Sequence, residues 1–180
     1  MNTIILLAGL PGVGKSTISK LISEKLGVKI LDLDDFKRVD VDPTLVTSQI
    51  DPPTVRWAYY KKAIESAFSI FATSDTSTII IDEVFHLREL RNNFEALCTQ
   101  MQIRVFWVEV RCPYSLVEAR LRAHSRIGHI LSTEEALNMY LLFREIFEDF
   151  STYSKNHIIV DNIDGVDILV DGVLSIIRSG

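Results

Sequence analysis

Eight residues near the start of the chain, Gly9-Leu10-Pro11-Gly12-Val13-Gly14-Lys15-Ser16, follow the pattern G-x-x-x-x-G-K-[ST]. Gly9, Gly12 and Gly14 let the backbone turn sharply and bring N–H groups against phosphate oxygens. Lys15 supplies a cation that reaches β- and γ-phosphates, and the Ser16 hydroxyl is placed to help hold Mg²⁺. A helix starting here also aims the positive end of its dipole at the same oxygens. The whole loop, with Leu10, Pro11, Val13 and Thr17 included, is expected to bind the phosphates of a nucleotide. A chance match in a glycine-containing turn is the alternative. The context opposes it, because an apolar run precedes the motif and an amphipathic pattern follows.

Phosphate binding becomes catalysis only with groups that orient an acceptor and neutralise developing charge. Asp32, Asp34 and Asp35 follow one apolar run, and Asp82 and Glu83 follow another. Asp34 is the candidate to orient an acceptor hydroxyl and take its proton, although Asp34 or Asp35 could equally cap a helix. Ile79-Ile80-Ile81-Asp82 has the character of a Walker-B strand end, which gives Asp82 a part in holding Mg²⁺. An exposed loop acid is the plainer reading. Arg120, Arg122 and Arg126 cluster further on. Helical spacing lets Arg122 and Arg126 converge on one phosphate, and guanidinium grips phosphate bidentately. The alternative for these arginines is a solvated helix face. His124 and His129 lack a carboxylate or thiol at ligand spacing, so no metal pair is expected there.

These residues need elements to hold them, and the chain alternates apolar runs with helical patterns. Strands are expected at Ile4–Ala8, Val28–Asp34, Thr78–Ile81, Ile103–Val110 and His157–Val160. Between them lie helices marked by Ile18, Leu21, Ile22 and Leu26, then by Trp57, Tyr60, Ile64, Phe68 and Phe71, which are expected to form a core stripe. Ser132 and Glu135 have capping-box spacing ahead of a helix carrying Tyr140, Phe143, Phe147 and Phe150. Strands alternating with helices imply a parallel sheet covered on both faces. In such sheets ligands bind beyond the carboxyl ends of the strands, where the loop and the carboxylates fall.

The 180 residues fit one domain, 1–180, with 47% hydrophobic and 24% charged residues. A formal charge of −5 counts against long nucleic acid as a partner, while short oligonucleotides stay open. Cys98 and Cys112 lack CxxC spacing and are expected as reduced, packed thiols in a cytoplasmic protein. Met1–Ala8 has no basic n-region, and no run approaches transmembrane length, so neither a leader nor a membrane partner is expected.

The loop at Gly9–Thr17, the stretch Ile79-Ile80-Ile81-Asp82-Glu83-Val84-Phe85 and the stretch Val105-Phe106-Trp107-Val108-Glu109-Val110-Arg111-Cys112 resemble the P-loop small-molecule kinases. The likeness is greatest to the chloramphenicol phosphotransferase-like group. Ser125-Arg126-Ile127-Gly128 looks like that group's arginine-bearing lid.

The resemblance implies a three-layer α/β P-loop NTPase fold, with a five-stranded parallel sheet of order 2-3-1-4-5 and helices on both faces. It implies ATP as donor, Mg²⁺ as cofactor and a small-molecule hydroxyl as acceptor. It supports Asp34 as base, makes Arg120 the candidate to stack on adenine, and makes Arg122 and Arg126 lid candidates near 122–131. The acceptor segment is expected near 35–56. There the Pro-rich stretch Asp40–Thr54 departs from the group, so antibiotic specificity does not carry over. Leu33-Asp34-Asp35-Phe36-Lys37 is similar to the acceptor region of polynucleotide 5′-hydroxyl kinases, where Lys37 or Arg38 would hold an acceptor phosphate. The rivals are therefore a nucleotide or polynucleotide 5′-hydroxyl kinase and, from another class, a nucleotide-dependent switch or assembly ATPase.

Overall fold

The structure is a computed structural model and describes residues 1–33, 35–36, 50–123, 132–150, 156–163 and 166–179. Chain order is β1 (Thr3–Ala8), α1 (Lys15–Leu26), β2 (Lys29–Asp32), α2 (Pro53–Thr73), β3 (Thr78–Asp82) and α3 (Arg88–Gln100). It continues with β4 (Arg104–Arg111), α4 (Tyr114–Ala123), α5 (Thr133–Ile146), β5 (His157–Asp161) and α6 (Val166–Ser179). The strands form one parallel sheet of order β2-β3-β1-β4-β5. This is the order that the family resemblance implied.

β1 is central and wholly buried from Ile4 to Ala8, so both of its faces must be covered. Alternation sends Ile4, Leu6 and Ala8 into one core with α2 and α3, joined by Ile79, Ile81 and Trp107. Ile5 and Leu7 enter the other core with Ile18, Ile22, Val117, Tyr140 and Val170. Register sets Leu7 beside Asp82, and Asp82 beside Asp32, so the two acids sit side by side at the carboxyl ends of β2 and β3, next to the end of β1.

Local signals set the boundaries. Gly27 closes α1 at φ 67°, with its N–H donating to Ser23 O at 2.8 Å. The Ser132–Glu135 capping box opens α5 with both reciprocal hydrogen bonds made. Two expectations are corrected. Phe68 is 45% exposed; the buried face of α2 is Arg56, Tyr59, Tyr60, Ala63, Ile64 and Ala67. The small Ala63 and Ala67 present the flatter face to the core, and that face turns Phe68 to the surface. Phe147 and Phe150 lie beyond α5, and Phe150 packs into the α2–α3 core, with its ring centroid 5.5 Å from that of Trp107. Both cysteines are buried with free thiols, and burial pushes the Cys98 thiol up to about 12. Among the described residues no helix is long and apolar enough to cross a membrane.

Candidate functional site

The loop between β1 and α1 turns through three positive-φ glycines, Gly9 at 144°, Gly12 at 80° and Gly14 at 99°. All three also lack room for a side chain, a Cβ on Gly12 meeting Val117 Cγ1 at 2.8 Å. A Cβ on Gly9 would lie 2.3 Å from Val110 O, and one on Gly14 would lie 2.2 Å from the Asn162 amide nitrogen. Gly14 caps α1 without a side-chain hydrogen bond, and while Thr17 N–H donates to Gly14 O at 3.1 Å, the N–H groups of Lys15 and Ser16 stay available to an anion. Lys15 folds back over the loop, its Nζ donating to Gly9 O at 3.0 Å and Leu10 O at 3.1 Å. It is 8% exposed.

Below the lysine, the Ser16 hydroxyl lies near enough to Asp82 to favour its charged form, and Ser19 Oγ donates a long hydrogen bond of 3.5 Å to Asp82 Oδ2. Burial pushes the Asp82 carboxyl up; Lys15 and the nearby Ser16 hydroxyl pull the other way without cancelling it. Asp32 and Glu83 add to the rise. A hydroxyl and a carboxylate beside the lysine make a hard-oxygen donor pair of the kind that would suit Mg²⁺. Among the described residues no group of three or more His, Cys, Asp or Glu side chains is arranged to hold a metal by itself.

Arg120 donates from Nη1 to Asn162 O at 3.1 Å and from Nη2 to Ile163 O at 3.0 Å, clamping α4 to the turn after β5. From that turn Asn162, 2% exposed, donates through its amide to Val13 O at 2.8 Å. Asn162 thus braces the middle of the phosphate loop across 149 residues of sequence. No motif flagged it; the signal available was only an Asn just after the last strand. Arg122 is half-exposed and pairs with Glu118 at 3.2 Å and Glu134 at 2.6 Å, tying the end of α4 to the start of α5. Asp34, Arg126, Lys37, Arg38, His124 and His129 lie outside the described residues, as do most of the expected lid and part of the acceptor segment.

A second constellation sits where α2 meets the end of β3. Arg56 Nη1 pairs with Glu83 Oε1 at 3.3 Å, both side chains being nearly inaccessible. Burial opposes the charge on Arg56, but Glu83 and Tyr60 outweigh it and hold the guanidinium pKa above its usual value. Glu83 Oε1 also accepts from Val84 N at 2.8 Å, and Arg56 lies 5.1 Å over the Phe143 ring of α5. Apolar periodicity could not have shown Arg56 on the buried face of α2.

His86 is 2% exposed beside this pair, and its Nδ1 has no partner among the described residues. Burial, with Arg56 nearby, pushes its pKa down from 6.5 to about 4. The unfolded chain takes up this proton near 6.5, the folded chain only near 4. Stability from the neutral imidazole is therefore complete above about pH 6.5 and is lost as pH falls toward 4, on the order of 2–3 kcal/mol. Urea midpoints should fall more steeply over this range for the native sequence than for His86→Leu. Parallel profiles would remove His86 from the account.

A model of the AAA domain family matches residues 4–144. The 2′,3′-cyclic-nucleotide 3′-phosphodiesterase of Rattus norvegicus is 28% identical over 123 residues, 67% of this chain and 27% of that protein. The chain therefore spans about a quarter of that curated relative's length. Among solved structures, a gluconokinase from Sinorhizobium meliloti 1021 matches with a TM-score of 0.72 at 18% identity, over 98% of this chain and 92% of that one. The Mycobacterium tuberculosis APS kinase in complex with AMPPNP and APS matches with a TM-score of 0.67 at 17% identity, over 98% of each chain. The described residues carry the fold of P-loop kinases.

Proposed function

The chain belongs to the AAA domain family, with a kinase-like P-loop domain, and we propose that it is an ATP-dependent phosphotransferase acting on a hydroxyl of a small molecule. The observation that carries this reading is the convergence of Lys15, Ser16 and Asp82 at the mouth of a glycine-built loop. The loop N–H groups and Lys15 hold the β- and γ-phosphates, and Ser16 with Asp82 holds Mg²⁺. When bound, Mg²⁺ supplies positive charge against the phosphate oxygens. Asp34 orients the acceptor hydroxyl and takes its proton. The acceptor oxygen bonds to the γ-phosphorus as its bond to the β–γ bridging oxygen breaks, and ADP leaves. Arg122 or Arg126 closes over the transferring group and excludes water. Arg120, anchored on the carbonyls of Asn162 and Ile163, stacks its guanidinium on the adenine. Two buried free thiols support a reducing, cytoplasmic setting.

The chloramphenicol phosphotransferase-like resemblance supports transfer from ATP to a hydroxyl without naming an antibiotic as acceptor. The fold neighbours named for gluconate and APS support a small acceptor. One observation favours a second reading, a nucleotide or short-oligonucleotide acceptor: the curated relative is named for cyclic-nucleotide chemistry.

An ADP-release screen over hydroxyl-bearing metabolites, nucleosides, nucleotides and short oligonucleotides tests both readings, with Lys15→Ala as the blank. Asp34→Asn is expected to lose acceptor phosphorylation by roughly 10²–10⁴-fold while keeping ATP affinity. Wild-type transfer by that variant discards Asp34 as the base. Slow ATP hydrolysis that no acceptor stimulates moves the protein to the nucleotide-dependent switch class.

A further inference from the structure

A cavity of about 350 Å³ opens beside the phosphate loop, between the end of β4 and the last turns of α5. Its size suits a small metabolite rather than a macromolecular segment. Gly9 and Leu10 form one wall, Arg111 another, and Tyr140, Arg144 and Phe147 a third. Lys15, Ser16 and Asp82 do not line it, so it flanks the nucleotide's phosphate cradle rather than coinciding with it.

The charges in this cavity are unevenly used. Glu109 is buried and spent twice, accepting from Arg111 Nε at 2.7 Å and facing His157 Nε2 at 3.1 Å. Those two hydrogen bonds outweigh the effect of burial and hold its carboxyl below the usual range. Arg111 is thereby fixed by one nitrogen, and among the described residues its Nη groups make no hydrogen bond. Asp149 also lines the cavity and is itself engaged. Arg144 is the under-used group: its guanidinium is half-exposed and, among the described residues, makes one long contact of 3.4 Å to the adjacent Glu145. Tyr140 and Arg144 are one helical turn apart on α5, and Phe147 follows its end, so the cation and two aromatic residues line the same cavity. A guanidinium with open donors beside apolar surface is suited to grip a carboxylate or phosphate bidentately.

We propose that this cavity is the acceptor pocket and that the acceptor carries an anionic group, carboxylate or phosphate, held by Arg144 beside Arg111. The proposal rests on the phosphotransferase reading for the word acceptor, but its binding chemistry can be tested without turnover. With the full chain saturated in ADP and Mg²⁺ to occupy the phosphate loop, calorimetry compares glucose with gluconate and ribose with ribose 5-phosphate. The first pair tests a carboxylate and the second a phosphate. The charged member of at least one pair is expected to bind roughly tenfold or more tightly than its neutral partner. Arg144→Ala should abolish that preference, and Arg144→Lys should keep part of it. Equal binding within both pairs, no binding by either charged member, or a preference that survives Arg144→Ala overturns the proposal. Arg144-dependent binding without ATP-dependent phosphorylation of the bound compound overturns the acceptor role and leaves the anion site standing.

Discussion

Lys15→Ala is expected to lower phosphoryl transfer by on the order of 10²–10³-fold, the cost of removing one preorganised charge from a transition state dominated by electrostatics. The structure gives this lysine two tasks. Its Nζ satisfies the carbonyls of Gly9 and Leu10 across the turn. It also stands close enough to Asp82 to draw that carboxyl's pKa down against burial. With alanine, both carbonyls lose their donor and Asp82 loses the cation that favours its charged form. Nucleotide affinity should fall along with the rate, and the melting temperature should change little, because the glycine turns and the Asn162 brace persist. Single-turnover transfer from labelled ATP, read beside nucleotide titration and thermal denaturation, separates these effects. A variant that transfers at the native rate would remove Lys15 from the catalytic machinery.

The largest stability effect is expected at Arg56. Arg56→Ala strands the Glu83 carboxylate in a buried site, which costs about 3–5 kcal/mol. For a chain of this size that lowers the melting temperature by roughly 6–20 °C. The double variant Arg56→Met, Glu83→Gln should recover much of the loss. Methionine fills the space beside Phe143, and the glutamine oxygen still accepts from Val84 N. Removing Arg56 also removes a cation that holds His86 neutral, so the imidazole should titrate above its present value of about 4. Differential scanning calorimetry gives the first result and the NMR titration of His86 the second. If Arg56→Ala and the double variant melt alike, the pair is not what stabilises this junction.

The same buried junction shows how far the sequence could be read. Glu83 was visible as an acid after an apolar run, but its partner was not, because Arg56 sits in a helix whose pattern is dominated by aromatic residues. The stripe expected from those aromatics included Phe68, which the packed helix turns outward. Periodicity identifies a helix and its general face; which edge of that face is buried depends on the side-chain volumes opposite. The strands were legible because a central parallel strand must be apolar on both sides, and their order followed from the family resemblance rather than from spacing.

What the sequence determined by itself is the phosphate loop: its turns are local, so three glycines, a lysine and a serine at fixed spacing are sufficient to specify it. The partners of that loop were decided only by tertiary structure. Asp82 reaches Ser16 because β3 pairs with β1, and Asn162 reaches Val13 because β5 ends beside the loop. The half-used Arg144 joins Leu10 across a cavity for a similar reason: α5 returns over the end of β4. Contacts between residues distant in sequence depend on strand order and helix packing, and no short motif encodes either.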